Sequence, residues 1–227
     1  MNIAVLTDEI ARARSQFSPE MVNTPDQLRE VFRLRHQVYC VERGFEAGDN
    51  GEETDEYDCH SRHLLLRSTS DGEVVGTVRI IAPDPSNLGD SFPMQRLCDA
   101  SLLPQSWLAT TGEISRFSLS KQRRLGRSDV VLLRLAMLRG VVQISYELGL
   151  THWLAVMERS LIRLHQTNEI WFEPVGPLVS YHGIRQPTVG EIVLVLERIR
   201  REQYPTWDYL TNGGRWYGKQ RDVSKAA

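Results

Sequence analysis

The chain has 227 residues, 41% of them hydrophobic and 25% charged, with a formal net charge of -2; this suits a soluble globular protein that buries a full core, so disorder is not the default. With 27 basic against 29 acidic residues there is no broad basic face, so nucleic-acid binding is not expected and a charge-driven partner must meet a local patch. Three cysteines without framework spacing, Cys40, Cys59 and Cys98, and no early apolar stretch suited to a signal peptide or membrane span, lead to the expectation of a cytoplasmic protein without stable membrane insertion.

No repeat, low-complexity tract or linker divides the chain. The expected parse is an N-terminal arm with a first strand over residues 1–23, a single domain over 24–218 and a flexible tail over 219–227. Thr24-Pro25 offers an N-cap followed by proline at the first helical position, and Leu28, Val31, Phe32, Val38 and Tyr39 then recur at helical spacing, with an end near Gly44. FEAGDNGEETDEYD, Phe45 to Asp58, has seven acids and no base and reads as an exposed loop. His63 to Arg67 and Val74 to Ile81 flank STSDGE as a hairpin, and Pro83 to Pro93 reads as a loop. Glu113 to Ser120 reads as a strand, Val130 to Leu148 as a helix closed by Gly149, and Thr151 to Met157 as a strand. A short helix near Leu161 to Gln166 and strands at Ile170 to Val175 and Leu178 to Tyr181 follow; in GEIVLVLERIRREQ, Ile192 to Leu196 suits a buried strand, but the charged remainder favours a helix. The order predicts an α/β fold, a central mixed twisted sheet flanked by helices.

Charged residues interrupt the apolar faces. Arg35 lies seven residues after Leu28 and four after Val31, within the stripe that should face the core, and a buried guanidinium needs an anion. Asp55 and Asp58 are candidates. A lone arginine could instead snorkel to water, but Arg79 sits mid-strand in VVGTVRII, and Glu113 and Arg116 share a second strand. Such breaks in local consistency gather at functional sites, so a shared polar cavity is expected.

RHQVYC with Phe45 soon after, the pair Asp55 and Asp58, Arg79 in VGTVR, and Glu113 with Arg116 in EISR resemble the signature order of acyl-homoserine-lactone synthases and N-acyl amino acid synthases, both of the wider GNAT acyltransferase fold. YCVERGFE, EYDCHSRH, GTVRI, GEISRFSLS, YHGIRQP and LTNGGRWY also resemble the GNAT-like acyltransferases associated with PEP-CTERM/exosortase systems, over about Thr24 to Tyr217. The resemblance implies a GNAT-like fold and transfer of a fatty acyl group from a phosphopantetheine thioester to the amine of an amino acid or similar small acceptor. Acyl carrier protein is the expected donor and partner in preference to CoA, with no tightly bound cofactor and no metal. Carried over residue by residue, Arg35, Tyr39, Phe45, Asp55, Asp58 and Arg79 shape the acceptor site, while Glu113 and Arg116 are catalytic, Glu113 helping to remove the amine proton. Tyr39 and Phe45 stand where the lactone synthases use phenylalanine and tryptophan, which favours an acceptor other than S-adenosylmethionine. The alternatives are an autoinducer synthase and a non-catalytic acyl-carrier-binding adaptor linked to an exosortase system.

In a regular strand Glu113 and Arg116 would face opposite sides; a bulge would change that. GNAT relatives splay two strands around such a bulge, which makes the backbone of Phe117, Ser118 and Leu119 a candidate thioester cradle. RRLGRS, with Arg123, Arg124, Gly126, Arg127 and Ser128, resembles the GNAT pyrophosphate loop; as a plain basic turn it would only cap the next helix through Ser128. Together with Lys121 it would suit an acidic carrier. Cys59, His60 and His63 lack a second pair at zinc-site spacing, and Trp207, Tyr209, Trp216 and Tyr217 suit a packed tail.

Overall fold

A computed structural model describes residues 3–47, 50–120 and 127–217. The first 23 residues do more than trail from the domain: helix α1 (Ile3–Gln16) and strand β1 (Phe17–Met21) supply Leu6, Ile10, Ala13 and Phe17 to the main core. Helix α2 (Pro25–His36) starts as read: Thr24 Oγ1 accepts the Gln27 N–H at 3.2 Å while Gln27 Oε1 accepts the Thr24 N–H at 3.2 Å, with proline at the first position. The helix widens into a π turn over Gln37–Glu42, after which Gly44, at φ 62°, reverses the chain.

Strands β2 (Ser61–Ser68) and β3 (Val74–Ile81) form the expected hairpin, followed by the short helices α3 (Pro93–Leu97) and α4 (Gln105–Leu108) and by strand β4 (Thr111–Leu119). Helix α5 (Arg127–Glu147) returns beneath the sheet to β5 (His152–Met157), and α6 (Arg159–Thr167) leads to three further strands: β6 (Glu173–Pro174), β7 (Val179–Ser180) and β8 (Ile184–Glu191). Helices α7 (Ile192–Glu202) and α8 (Tyr204–Thr211) follow, and turns carry the described chain on to Tyr217. The sheet order is β1-β2-β3-β4-β5-β8-β6, with β7 also pairing β8, and it is antiparallel except for the β4–β5 pair.

The strands read over Ile170 to Val175 and Leu178 to Tyr181 shrink to two residues each, and the long strand is β8, where none was expected. Pro187 and Gly190 hide it in sequence. The Pro187 carbonyl accepts the Val175 N–H at 2.9 Å, so its nitrogen faces the short-strand edge and its missing donor leaves the β5 ladder intact.

Each sheet face has its own core. Trp153, Ala155 and Met157 of β5 join Ile80 and the α5 residues on one face; Leu154 joins Ile81, Phe92 and Met94 on the other. Helix α5 seats closely because Gly140 abuts Leu64 of β2, where a Cβ would collide. No described helix is long and apolar enough to cross a membrane.

Candidate active site

The parallel ladder between β4 and β5 runs only from Thr111↔His152 to Glu113↔Leu154. Beyond it the strands diverge. On the other side of β4, Arg79↔Ser115 and Thr77↔Ser118 are consecutive register pairs, so β4 carries one residue more than β3 across this interval, a bulge that leaves Arg116 and Phe117 without partners in the β3 register. Arg116 sits at φ 49°, a left-handed conformation costly for a side-chain-bearing residue. The bulge answers the alternation problem: Glu113, Ser115 and Arg116 all face the α2–α3 side, while Ile114 and Phe117 pack on the α5 side.

On the α2–α3 side lies a closed ion cluster. Arg35 Nε donates to Glu53 and its Nη1 to Asp58 Oδ1 at 2.7 Å. Arg79 donates from Nη1 to Asp58 Oδ1 at 2.7 Å, from Nη2 to Asp55 Oδ2 at 2.9 Å and from Nε to Ser115 Oγ at 2.9 Å. Arg116 Nη2 donates to Glu53 Oε1 at 2.8 Å and to Asp55 Oδ2 at 3.1 Å. Three cations meet three anions, and Arg35 and Arg79 are both 0% exposed. The acids are fixed locally: Asp55 accepts the Tyr57 N–H at 3.0 Å, Asp58 Oδ2 accepts the Asp55 N–H at 2.8 Å, and the Glu53 N–H reaches the Phe32 carbonyl of α2 at 3.0 Å. Burial raises the Asp58 carboxyl, but the Arg35 hydrogen bond and the Arg35 and Arg79 charges outweigh it and leave the pKa at about 2. Glu53 likewise lies below the usual range, as Arg35 and Arg116 overcome its burial.

The acidic stretch read as an exposed loop is therefore corrected: Glu53, Asp55 and Asp58 turn inward because three buried guanidinium groups require them. Arg35, Asp55, Asp58 and Arg79, expected around the acceptor, lie behind the cavity wall and touch one another. Arg116 belongs to both, pairing with Glu53 and lining the cavity.

That cavity, about 410 Å³, passes through the gap between the splayed strands. Glu113 and Arg116 meet it at the gap, with Ile114, Phe117 and Leu119 from β4 and Ala155, Val156 and Met157 from β5. Its α2-side mouth is lined by Tyr39, Arg43, Phe45, Tyr181, His182 and Arg185. The π turn puts the Tyr39 ring 4.9 Å beneath the Arg116 guanidinium carbon, and Phe45 lies 5.0 Å from the His182 ring. His182, also left-handed at φ 49°, is 3.2 Å from Glu46 Oε1. Burial lowers its pKa, although Glu46 pulls the other way. The opposite arm is apolar, formed by Leu138 of α5, Leu161 and Leu164 of α6, and Phe172.

Glu113 is 3% exposed and accepts the Met94 N–H at 2.9 Å. Burial pushes its pKa up to about 7, against that hydrogen bond and the charges of Arg79 and Arg116. A carboxyl poised near neutrality at a cavity wall can exchange a proton with a bound amine.

Of the thioester residues expected from sequence, Phe117 and Leu119 line the cavity, while Ser118 is buried and donates to the Arg116 carbonyl at 3.0 Å. Lys121, Arg123, Arg124 and Gly126 lie outside the described residues, and the backbone of Arg127 and Ser128 opens α5. Glu53, His182, Arg134 and His165 were missed, although Glu53 stood in the acid run and His182 in YHGIRQP.

Residues 34–134 match an acetyltransferase (GNAT) domain. Among solved structures, the chain is similar to the acyl-homoserine-lactone synthase LasI, at 22% identity over 77% of this chain and 89% of that one with a TM-score of 0.58. The CoA-dependent acyl-homoserine-lactone synthase BjaI, solved with MTA, aligns at 22% identity over 86% and 88% with a TM-score of 0.60. FeeM, an N-acyl amino acid synthase from uncultured soil microbes, aligns at 15% identity over 83% and 98% with a TM-score of 0.59. This is the GNAT fold. The splayed fourth and fifth strands and the β4 bulge agree with the arrangement that the sequence resemblance implied.

Proposed function

We propose that this GNAT-fold chain is an N-acyltransferase that moves a fatty acyl group from a phosphopantetheine thioester to the amine of an amino acid or similar small acceptor. The observation that carries the reading is the single cavity through the β4–β5 gap, apolar on one side and polar-aromatic on the other, with Glu113 where the two arms meet. The acyl donor occupies the Leu138–Leu161–Leu164 arm and the acceptor enters between Tyr39, Phe45 and His182. The amine nitrogen attacks the thioester carbonyl, a C–N bond forms and the C–S bond breaks. The nitrogen's proton passes to Glu113, directly or through one water, and the departing thiolate takes a proton from solvent. The β4 backbone at the bulge supplies donors for the developing oxyanion. Arg35, Asp55, Asp58 and Arg79 act by holding Arg116 at that bulge.

The donor in this reading is an acyl carrier protein, because the basic Lys121–Arg127 segment would attract an acidic carrier despite the net charge of -2. Incubation with a fatty-acyl carrier or fatty-acyl-CoA and a mixture of amino acids, followed by mass spectrometry, identifies the N-acylated product. A lactone product from S-adenosylmethionine would favour autoinducer synthesis, and absence of turnover with every acceptor would favour the adaptor. A carrier preference predicts that kcat/KM falls steeply with salt for the carrier and weakly for CoA; equal efficiency of the two donors at all ionic strengths would dismiss it.

A further inference from the structure

Among the described residues, the arginines lining the cavity are ion-paired or solvated with one exception. Arg116 is neutralised by Glu53 and Asp55, and Arg185 pairs with Glu158 at 2.8 Å. Arg43 is exposed at the mouth, over the Phe45 ring, where water solvates it. Arg134 differs: it is half-buried on the wall of the apolar arm, one turn before Leu138 on α5, and no carboxylate among the described residues pairs with it. Beside it on the same wall is His165 of α6, its ring 6.4 Å from Phe172. Burial lowers the pKa of both, His165 to about 4 with Arg134 adding to the effect, so the histidine is neutral at physiological pH and can accompany a cation without repelling it.

A half-buried guanidinium on the wall of an apolar cavity arm without a counter-anion is costly, and a bound anion removes the cost. An arginine also presents a planar fork matched to carboxylate or phosphate oxygens. We propose that Arg134, assisted by His165, binds an anionic oxygen group carried by the donor. Two parts of a donor could bring this chemistry: the phosphate of the pantetheine arm, since Arg134 lies about 10 Å along α5 from Arg127, or a carboxylate at the far end of the acyl chain. The first fixes the depth to which the arm enters. The second makes the protein selective for ω-carboxylated chains.

The inference rests on the acyl-transfer reading for the identity of the donor, but equilibrium binding tests it without turnover. Calorimetric titration would compare pantetheine with phosphopantetheine, and the N-acetylcysteamine thioester of dodecanoate with its ω-carboxyl analogue, on wild type, Arg134→Gln and Arg134→Lys. The anionic member of at least one pair should bind wild type about tenfold tighter. Arg134→Gln should abolish that preference and Arg134→Lys should retain part of it, and the pair that responds identifies the source. Should Arg134→Gln fail to melt cooperatively, Arg134→Met, which keeps the stem, replaces it. Equal affinities within both pairs, a preference that survives Arg134→Gln, or no binding of any probe to the folded wild type overturns the proposal. An anion preference that persists while mass spectrometry finds no acylated product refutes the acyl-transfer reading alone.

Discussion

Arg35→Ala tests whether the buried ion cluster is a stability element. The substitution leaves two cations against three anions in a region where Arg35 is 0% and Glu53 5% exposed. Breaking a buried pair costs about 3–5 kcal/mol; the lower end applies because Glu53 keeps Arg116 and Asp58 keeps Arg79. For a chain of 227 residues, about 3 kcal/mol corresponds to a fall in Tm of roughly 6–12 °C, measured by circular dichroism or calorimetry. Because the pairs are buried, the loss should change little between low and high salt. The double variant Arg35→Met/Glu53→Gln restores neutrality with near-isosteric groups, and should recover a clear part of that fall. An Arg35→Ala protein melting within about 2 °C of wild type, or a double variant no more stable than the single, would show that unpaired charge is not what the substitution exposes.

Three further outcomes follow from the site. With Glu113 raised to about 7, kcat/KM should rise with pH through neutrality as the carboxylate forms, and Glu113→Gln should fold, lose most turnover and lose that limb; a variant retaining the wild-type profile excludes Glu113 as the base. His63 is buried against Phe32, 3.7 Å from Asp58 Oδ1, and burial lowers its pKa from 6.5 to about 4. Its contribution to stability is thus full above about pH 6.5 and is lost as pH falls towards 4, so His63→Gln should flatten that part of the urea-derived stability profile, and an unchanged slope would count against a neutral buried imidazole. At Arg116, held at φ 49°, both Gly and Ala delete the guanidinium but only Gly relieves the backbone, so Arg116→Gly should be more stable than Arg116→Ala by about 1 kcal/mol; the reverse order would contradict the left-handed assignment.

Local chemistry was legible in the sequence. Thr24-Pro25 and Gln27 fixed the start of α2 because a capping box needs only four residues, and Arg35, Arg79, Glu113 and Arg116 stood out because charge breaks the hydrophobic period. Long-range partnerships were not. Nothing in GEETDEYD distinguishes Glu52 from Glu53, since what turns Glu53 inward is a backbone bond to Phe32 some twenty residues earlier. The bulge was foreseen through resemblance, but the left-handed backbone of His182 was not, as the enrichment of histidine in that region is too weak to mark a single position. The apolar arm was hidden for another reason. Leu161, Leu164 and His165 form an ordinary amphipathic stripe, and only the divergence of β4 from β5 turns that stripe from core into cavity wall.

The cluster and the gap are physically linked. A strand between two partners gains little by bulging, and a left-handed arginine costs about 1–2 kcal/mol. At Arg116 the cost is offset because its guanidinium completes the coordination of Glu53 and Asp55, whose other partners, Arg35 and Arg79, come from α2 and β3. An apolar substitute for the whole cluster could stabilise as well or better, yet it would supply no directional reason for residue 116 to face the α2 side while Phe117 faces α5. Directional ion pairs thus convert binding free energy into a fixed backbone irregularity. That irregularity lies where β4 parts from β5, holding Phe117 on the apolar arm and Arg116 at the polar mouth. Stability and cavity shape are therefore coupled through one residue: substitutions deep in the cluster should reach the cavity through the orientation of Arg116.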